Sequence, residues 1–417
     1  MTERKRVVIT GIGVVAPNGV RIGDFWSSLV QGISAVDKIR TFEVEDLDVQ
    51  IAAEISSFEP SEFIPKELLR KMDRFAQLGF AAAKIACDDA AITNHTNHRN
   101  DDRDRVGVCI GSGLGGILFH EVQIERLIRE GPSRVMASSI PRISPNSVAS
   151  YIAIGFGFKG PNLAISTACS SGAHAIGTAR DLIRLEKADV VVAGGVEAPV
   201  TPTTFSAYSA LGVLSKKNED PKRACRPFDR DRDGFVLAEG AGVLVLEDYE
   251  HAKKRGAEIY AEVVGFASNC GAYHMVTPEP NGDDAASAMQ AALQDASLEP
   301  KDIDYINAHG TGTIANDIAE TKAIKKVFGP YANKIPISSI KGVTGHTIGA
   351  AGAIECIASV LAIVRGVIPQ TTNYKSSDPE CDLDYVPISR GQETRIVMSN
   401  SFGFGSNNAV IILKSLS

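Results

Sequence analysis

The sequence lacks any close pairing of its cysteines. The seven cysteines are scattered along 417 residues, and no two of them form a C-x-x-C motif. An odd, widely spaced set argues against both a disulfide framework and a zinc site. We expect most of them to be small buried apolar side chains, and one to need another explanation. The cysteines are Cys87, Cys109, Cys169, Cys225, Cys270, Cys356 and Cys381.

The sequence also lacks the apolar stretch that a membrane span or a signal peptide needs. No apolar run reaches about 18 residues, so no transmembrane segment is predicted. Residues 1–13 carry charges and then turn into a short strand-like run, without the longer apolar stretch and the cleavage site of a signal peptide. These features predict a cytoplasmic protein that is not bound to a membrane.

Basic residues are outnumbered. The chain has 43 Lys and Arg against 50 Asp and Glu, a net charge of −7. Nucleic-acid binding needs a net basic surface, so a general nucleic-acid binder is excluded. Lys66, Arg70, Lys71 and Arg74 lie at helical spacing and form either a local basic patch for an acidic partner or an ordinary solvated helix face.

Short apolar runs bounded by glycine alternate with stretches that are apolar at helical spacing. Continuous apolar strands are typical of a sheet covered on both faces, and the alternation predicts an α/β fold. The predicted strands are 7–11, 106–111, 162–166, 190–194, 242–246, 261–265, 305–308, 335–338, 396–399 and 409–413. The predicted helices are 68–91, 173–185, 283–295, 317–327 and 350–364.

One order of elements occurs twice. Residues 162–194 run from a strand through the turn TACSSG and a helix to another strand, and residues 335–401 repeat this order with the turn IKGVTGH. Such a repeat of pattern predicts an internal duplication. The two halves are expected at 1–257 and 258–417, with their reactive turns facing each other and the charged segment 248–257 as the crossover.

The strongest chemical signal is ISTACSSG at 165–172. Cys169 ends a buried strand and begins a helix of small residues. Free backbone N–H groups and the positive end of the helix dipole lower a thiol pKa there and can stabilise an oxyanion. Taken alone, the segment fits a nucleophilic cysteine and a buried structural cysteine equally.

Three further motifs carry side chains at strand ends, where α/β sheets bind ligands. His309 stands in NAHGTGT, and Lys341 and His346 stand in SSIKGVTGHTIG. A single histidine is often a satisfied core residue, but two histidines and a lysine at matching points of a duplicated unit favour a site. Phe402 and Phe404 lie in NSFGFGSNN, whose glycines fit either a moving gate or an ordinary turn.

Two motifs suggest other classes of protein. GSGLGG at 111–116 follows a strand as in a dinucleotide-binding oxidoreductase, but no acidic residue ends a second strand about 20 residues later. Close backbone packing over a substrate pocket explains its glycines. DRDRDG at 229–234 resembles a calcium loop, but Gly240 stands where an EF-hand needs Glu. Its alternating charges are expected to pair with each other.

Taken in chain order, STACSSG, NAHGTGT, KGVTGH and NSFGFG resemble the motifs of β-ketoacyl-[acyl-carrier-protein] synthases of the I/II type. RPFDRDRDGFVLAEGAG at 226–242 is also similar to that family, and the likeness spans essentially the whole chain. The type II, fatty-acid-elongating branch is the most similar. The resemblance implies the thiolase fold, with two βαβαβαβ halves in five α-β-α-β-α layers, and a homodimer. It implies a decarboxylative Claisen condensation of an acyl thioester with a malonyl thioester.

The resemblance also implies roles for individual residues. Cys169 would be the acylated nucleophile, and its backbone N–H and that of Phe404 would form the oxyanion hole. His309 and His346 would bind the malonyl thioester carbonyl and stabilise the enolate formed as CO2 leaves. Lys341 would hold a positive charge nearby, with Glu320 as its partner.

Supporting roles follow from the same resemblance. Asp317 would tie down the surrounding loop, Thr311 and Thr313 would bind the pantetheine arm, and Leu114 would line the bottom of the acyl channel. Phe404, with Phe402 beside it, would gate the pocket. The residues that match a site for a monovalent cation or water are Asn307, Glu355, Asn400 and Ser401.

The implied reaction requires no cofactor, because the phosphopantetheine arm arrives on an acyl carrier protein. A polyketide-pathway ketosynthase remains an alternative, and the intact Cys169 speaks against a catalytically silent partner subunit. The chain departs from the family pattern at three places that bear on carrier and chain length. The gating loop reads GFGSNN where GFGGTN is usual, Gly271 replaces a common Asp, and Gly212 replaces a common Arg.

Overall fold

All ten predicted strands belong to one large sheet, so the predicted α/β class is confirmed. The computed structural model of the chain describes residues 5–92 and 100–416. Its strands are β1 (Val7–Val15), β2 (Asp37–Lys38), β3 (Ile51–Ala52), β4 (Val106–Gly111), β5 (Asn162–Ile165), β6 (Val190–Glu197), β7 (Gly240–Asp248), β8 (Ala261–Cys270), β9 (Tyr305–Asn307), β10 (Ile337–Ser338), β11 (Val367–Ile368), β12 (Arg390–Gly391), β13 (Ile396–Gly403) and β14 (Asn407–Lys414). Its helices are α1 (Ile22–Gln31), α2 (Lys66–Leu69), α3 (Arg74–Asp89), α4 (Ile117–Glu130), α5 (Ser139–Ile143), α6 (Ser147–Phe156), α7 (Ser171–Arg184), α8 (Pro202–Ala210), α9 (Tyr249–Lys254), α10 (Asp283–Ala296), α11 (Ile314–Phe328), α12 (Lys341–Thr344) and α13 (Ala351–Arg365).

The large sheet is built from two sets of five strands with the same internal pattern. Its order is β10-β9-β13-β14-β8-β1-β7-β6-β4-β5. Inward from either edge, the first two pairings are parallel and the next two are antiparallel. The sets meet where β1 pairs with β8. The topology is therefore duplicated, while the boundary between halves 1–257 and 258–417 stays a prediction.

Helices separate and cover the two sets of strands. Helices α3 and α6 pack on the first set, and α10 packs on β8 and β14 of the second. Helices α7 and α13 lie between the sets, because each contacts strands of both. The result is the five-layer α-β-α-β-α arrangement that the resemblance implied.

One helix among the described residues is long and apolar enough to cross a membrane. It runs from Ile348 to Arg365 and includes α13, and 83% of it is buried inside the protein. The stretch includes Glu355 and Arg365, so it is not the continuous apolar run whose absence the sequence shows. Burial between two sheets is typical of a core helix, which is apolar on all sides.

The two central helices touch at their N-terminal ends. A Cβ atom on Gly172 would lie 3.0 Å from the backbone N of Ala353, and one on Gly352 would lie 2.9 Å from the Cβ of Ala173. Only glycine allows this approach of two helix backbones. The contact brings the turn of Cys169 beside the turn at 348–350.

The predicted helix 68–91 is two helices. Asp73 is the N-cap of α3, because its side chain accepts a hydrogen bond from the backbone N of Phe75 at 3.1 Å. Arg74 then turns inward, and its Nε lies 2.5 Å from Glu239. Arg74 is therefore not part of an exposed basic patch. The exposed basic side chains here are Lys66, Arg70 and Lys71.

Candidate active site

Cys169 lies in a strained turn between β5 and α7. The residue before it, Ala168, has a φ of +51°, a left-handed conformation that costs a non-glycine residue of order 1–3 kcal/mol. The matching residue of the second half, Ile348, has a φ of +47°. Each is the first residue of a short 3₁₀ turn that leads into a central helix. The nucleophile turn thus has a structural counterpart in which Gly349 takes the place of Cys169.

The Cys169 thiol is buried, and burial raises its pKa to about 12. The charge of Lys341 and a hydrogen bond from the backbone N–H of Phe404 act in the opposite direction but do not overcome burial. The helix dipole led us to expect a lowered thiol pKa, and burial is the reason for the difference. The role of the Phe404 N–H in an oxyanion hole stays a prediction.

His309, at the end of β9, is linked to Lys341. The Nζ of Lys341 lies 3.5 Å from the Nδ1 of His309, and it also donates to the backbone O of His309. The carboxylate that pairs with Lys341 is Glu355, on α13. The prediction that Glu320 is this partner is wrong, because β13 and the 309–310 turn hold Glu320 elsewhere.

Glu320 supports the backbone of the His309 turn. Its carboxylate accepts hydrogen bonds from the backbone N of His309 at 2.9 Å, from the backbone N of Gly310 at 2.8 Å and from the Nδ2 of Asn400 at 3.0 Å. Burial raises the pKa of Glu320 to about 7. The residue therefore fixes the position of His309 rather than the charge of Lys341.

His346 packs against His309. The two rings have centroids 5.4 Å apart at an interplanar angle of 81°. The Nδ1 of His346 accepts the backbone N–H of Ile348 at 3.3 Å, so the ring proton sits on Nε2. An ammonium beside the Nδ1 of His309 selects the same tautomer there.

Both imidazoles are neutral. Burial, followed by the charge of Lys341, holds the pKa of His309 and of His346 well below the ordinary histidine value. Two neutral rings with their protons on Nε2 are hydrogen-bond donors that carry no charge. Such donors suit an oxyanion or enolate that develops in a dry site.

Four buried oxygen atoms beside this pair have no hydrogen-bond partner among the described residues. They belong to side chains on β9, α13 and β13, and the Nδ2 of Asn307 donates to the backbone O of Glu355 at 3.3 Å. A carboxylate oxygen and neutral oxygens are the ligand types that suit a hard monovalent cation or a water. The atoms are Asn307 Oδ1, Glu355 Oε2, Asn400 Oδ1 and Ser401 Oγ.

Asp317 holds the loop that follows His309. Its carboxylate accepts the backbone N–H of Gly312 at 3.2 Å and that of Phe228 at 2.7 Å. Within this loop the hydroxyls of Thr311 and Thr313 lie 2.9 Å apart. The binding of a pantetheine arm by these hydroxyls stays a prediction.

The DRDRDG segment is a structural clamp. Asp229 accepts the backbone N–H groups of Lys375 and Ser376, both at 2.7 Å. The expected pairing of its charges with each other is wrong for Arg232, which pairs with Asp317 at 3.5 Å and Asp378 at 2.6 Å. Bonds of this kind leave the segment no role as a calcium loop.

The loop between β13 and β14 lies over the nucleophile. The ring of Phe402 packs against His309 with centroids 5.7 Å apart, and the ring of Phe404 lies 6.4 Å from that of Tyr208. A Cβ atom on Gly403 would lie 3.2 Å from the backbone N of Cys169. The two phenylalanines therefore border the site, as predicted, and their motion as a gate stays a prediction.

Leu114 lies in the glycine-rich turn after β4. Its backbone N donates to Glu197 at 3.0 Å, and the neighbouring N of Gly113 donates to the same carboxylate at 2.6 Å. In a dinucleotide-binding turn such N–H groups would face a phosphate. Here an internal carboxylate takes that place, which excludes the oxidoreductase alternative on structural grounds.

Two side chains at the site were not predicted from the sequence. Glu197 ends β6 and is fully buried. Phe235 packs edge-on against His346 with ring centroids 5.0 Å apart. Glu197 could have been found from the sequence, because it is the one charged residue at the end of an apolar strand. No sequence pattern marks Phe235.

Comparison with known proteins gives the same family on both halves. The family model described as "Beta-ketoacyl synthase, N-terminal domain" matches residues 4–252, and the corresponding C-terminal domain matches residues 260–375. The chain is 44% identical over 414 residues to a protein of Coxiella burnetii named 3-oxoacyl-[acyl-carrier-protein] synthase 2, with 99% of each chain covered.

Solved structures agree over the whole length. A β-ketoacyl synthase from Burkholderia phymatum superposes with a TM-score of 0.92 at 35% identity, covering 99% of this chain and all of the other. A type II polyketide ketosynthase, bound to a hexaketide and in complex with its acyl-carrier protein, superposes with a TM-score of 0.90 at 36% identity over the full length of both. Because the matches extend over nearly all of it, the chain belongs to the β-ketoacyl synthase family.

Proposed function

We propose that this chain is a 3-oxoacyl-[acyl-carrier-protein] synthase, an acyltransferase that extends acyl chains in fatty acid elongation by decarboxylative Claisen condensation. The observation that carries the proposal is that two neutral imidazoles meet at one buried lysine, and that the segment of Phe402 and Gly403 joins this pair to the backbone of Cys169. The same activity is in the names of curated relatives at 42–44% identity.

The first half-reaction loads the enzyme. The sulfur of Cys169 attacks the carbonyl carbon of the acyl thioester, and the N–H groups of Cys169 and Phe404 stabilise the resulting oxyanion. The bond to the carrier sulfur breaks, and the thiol proton passes to the departing carrier thiolate. A thiol with a pKa of about 12 is protonated at rest, so it must lose this proton as the acyl group arrives.

The second half-reaction forms the new carbon–carbon bond. His309 and His346 donate from Nε2 to the carbonyl oxygen of the malonyl thioester. The carbon–carbon bond to the carboxylate breaks and CO2 leaves. The electron pair of the broken bond forms the enolate, which these donors stabilise. The enolate carbon attacks the acyl group on Cys169, the carbon–sulfur bond breaks, and the cysteine takes up a proton.

The buried oxygens of Asn307, Glu355, Asn400 and Ser401 would hold a monovalent cation or a water next to this pair of histidines. A cation there would satisfy the orphaned oxygens and offset the charge of the Glu355 carboxylate. It would help to hold the residues of β9, β13 and α13 in place. The reaction itself requires no cofactor.

An acidic acyl carrier protein that bears phosphopantetheine is the proposed partner, and acyl and malonyl thioesters are the substrates. The exposed side chains of Lys66, Arg70 and Lys71 supply positive charge on an enzyme with a net charge of −7. The pantetheine arm would pass the hydroxyls of Thr311 and Thr313 on its way to Cys169, and the acyl chain would extend toward Leu114.

The protein is proposed to act as a homodimer in the cytoplasm. Strand β5 is an edge of the large sheet, and its side chains are mostly exposed, including the apolar Leu163. An exposed apolar edge strand is suited to pair with a second copy of itself. Seven cysteines that are all free fit a reducing compartment.

The decisive experiment offers acyl-carrier proteins of several chain lengths together with malonyl carrier and identifies the products by mass. Wild-type protein is expected to give 3-oxoacyl carriers two carbons longer than the acyl group, with one CO2 released per product. Cys169→Ala should not become acylated. Cys225→Ala, which alters another buried cysteine of the same apolar cluster, should retain acylation. Equal acylation of the Cys169→Ala protein would remove the proposed nucleophile.

A second candidate function is a polyketide-pathway ketosynthase, which the likeness to a hexaketide-bound ketosynthase favours. The same assay separates the two. Products extended by several unreduced two-carbon units from a single carrier would support the polyketide reaction, and single extensions would support fatty acid elongation.

A further inference from the structure

The most unusual group outside the reacting residues is the carboxylate of Glu197. It is fully buried, and it accepts four hydrogen bonds, two on each oxygen. One oxygen accepts from the hydroxyl of Ser112 at 2.9 Å and from the backbone N of Leu114 at 3.0 Å. The other accepts from the backbone N of Gly113 at 2.6 Å and of Gly349 at 3.1 Å.

This pattern is that of an anion bound in a nest of backbone N–H groups. A buried carboxylate is costly unless donors surround it, and an apolar residue would fill a purely structural position more easily. All four donors belong to turns, and none belongs to a neighbouring strand or a helix interior. Glu197 therefore holds turns in position and does not add to the pairing of strands in the sheet.

The turns that Glu197 joins are those of the site. Leu114 is on the turn that would end the acyl channel. Gly349 directly follows Ile348, whose N–H sets the tautomer of His346. A Cβ atom on Gly349 would lie 2.5 Å from the carboxylate, and one on Gly113 would lie 3.8 Å from the Cα of Ala168. One carboxylate thus lies between the channel end, the nucleophile turn and the histidine turn.

We propose that Glu197 is a positioning residue of the condensation, which holds the end of the acyl channel and the His346 turn in a fixed relation to Cys169. The inference rests on the proposed function and deepens it. It assigns the selection of acyl chain length in part to the bond between Glu197 and the Leu114 turn. It also explains why glycines stand at 113 and 349, since a side chain at either would meet the carboxylate.

The electrostatic effect of Glu197 gives a second measurable property. Burial is the main cause that raises the pKa of the Cys169 thiol, and the charge of Glu197 adds to it. Removing that charge should lower the thiol pKa. The alkylation profile of Cys169 is therefore a readout that a loss of folding stability alone would not move.

The test is Glu197→Gln, with Glu247→Gln as its matched control. Glu247 is equally buried at the end of β7, where it binds Thr10, His251 and Arg255 away from the site. Both variants should lose thermal stability. The chain-length ratio is kcat/KM with a 16-carbon acyl carrier divided by kcat/KM with an 8-carbon acyl carrier. Only Glu197→Gln should lower this ratio, by roughly tenfold, because a carboxamide cannot accept all four hydrogen bonds. Only this variant should alkylate at Cys169 at a lower pH than wild type.

An unchanged chain-length ratio together with an unchanged pH profile of alkylation would overturn the proposal, as would equal changes in the Glu247→Gln protein. If Glu197→Gln does not fold, Ser112→Ala decides the question, because it removes one bond to the carboxylate and should shift the ratio in the same direction by about threefold. An unshifted ratio in Ser112→Ala would then count against it. Condensation by the wild-type protein is measured in the same assay, so failure of the proposed function is seen separately.

Discussion

At the scale of single residues, the Cys169 thiol is buried as well as placed at a helix start. Burial raises the pKa of the thiol to about 12, so in the free enzyme this thiol is almost entirely protonated at neutral pH. We expect the rate of Cys169 alkylation by iodoacetamide to rise about tenfold per pH unit between about pH 7 and 9. Mass mapping of the modified peptide gives this rate.

The exposed Cys270 will react as well, so the measurement is best made in a Cys270→Ser background. A rate that stops rising below about pH 8 would show a thiolate stabilised by the helix dipole instead, as the sequence alone suggested.

The two histidines lead to a pH prediction with a defined sign. Burial and the charge of Lys341 hold the pKa of His309 and of His346 well below the ordinary value, so both rings stay neutral donors down to acidic pH. Lys341→Ala removes the charge and lets both pKa values rise. As the pH falls, the rate of malonyl decarboxylation should therefore begin to decline at a higher pH in the variant than in the wild type.

Decarboxylation measured from about pH 5 to 8 checks this shift of the acid limb. Lys322→Ala, which removes a surface lysine, serves as the control and should keep the wild-type profile. Identical acid limbs in wild type and Lys341→Ala would contradict the electrostatic role.

The residues at the site differ in how far the sequence could predict them. Cys169, His309, Lys341 and His346 stand in local motifs, so chain neighbours alone identify them. The partner of Lys341 could not be read in this way, because Glu320 and Glu355 are both on helices that begin near the site. Which carboxylate reaches the ammonium depends on side-chain packing that no local pattern records.

At the scale of elements, the loop between β13 and β14 differs from the usual family sequence at Ser406. This residue has a φ of +58°, which glycine adopts more easily. Its hydroxyl accepts the backbone N–H groups of Tyr273 and His274, both at 3.3 Å, and donates to the backbone O of His274 at 3.1 Å. The hydroxyl therefore ties the loop that carries Phe404 to the segment after β8.

Ser406→Gly removes these three hydrogen bonds and relieves the backbone strain. We expect single-turnover acylation of Cys169 to become faster by roughly threefold, because the loop over the thiol is released more easily. Rapid-quench measurement with an acyl carrier gives the rate, and Ser377→Gly, at an exposed serine, is the control. Acylation no faster than in the control would mean that the loop does not limit access.

Another departure from the family pattern has a direct steric reason. A Cβ atom on Gly271 would lie 2.1 Å from the Oδ2 of Asp284, which in turn accepts from Asn408 at 3.1 Å. An aspartate at 271 would therefore clash with the Asp284 carboxylate and bring a second negative charge next to it. The sequence shows the glycine but not the residue that requires it, since the two come together only in the folded chain.

The apolar runs predicted all ten strands of the sheet because continuous hydrophobicity is typical of strands with two covered faces. The prediction that 162–166 is a buried strand is wrong, because β5 is an edge strand whose side chains are mostly exposed. Amphipathic helices of the first half, such as α1, α4 and α6, were not predicted. Some large apolar residues of α4 and α6 are exposed, as at Ile128 and Ile154.

At the scale of the whole molecule, the prediction concerns the proposed dimer. Among the described residues, strand β5 pairs with β4 on one side only, which leaves its other side open to a strand of a second copy. Leu163, at 38% exposure, lies in the middle of that edge. In a twofold pairing of β5 with its own copy, a charge at 163 would face the same charge across the axis.

Leu163→Lys should therefore convert a dimer into a monomer, seen as a halved mass in light scattering after size exclusion. Ile388→Lys places the same charge on an even more exposed apolar residue, at 74% exposure and away from β5, and should leave the dimer intact. Because α7 packs against β5 and begins just after Cys169, loss of the partner would also loosen the nucleophile turn. The monomer should then acylate more slowly than the Ile388→Lys dimer, and a dimeric Leu163→Lys protein would place the interface elsewhere.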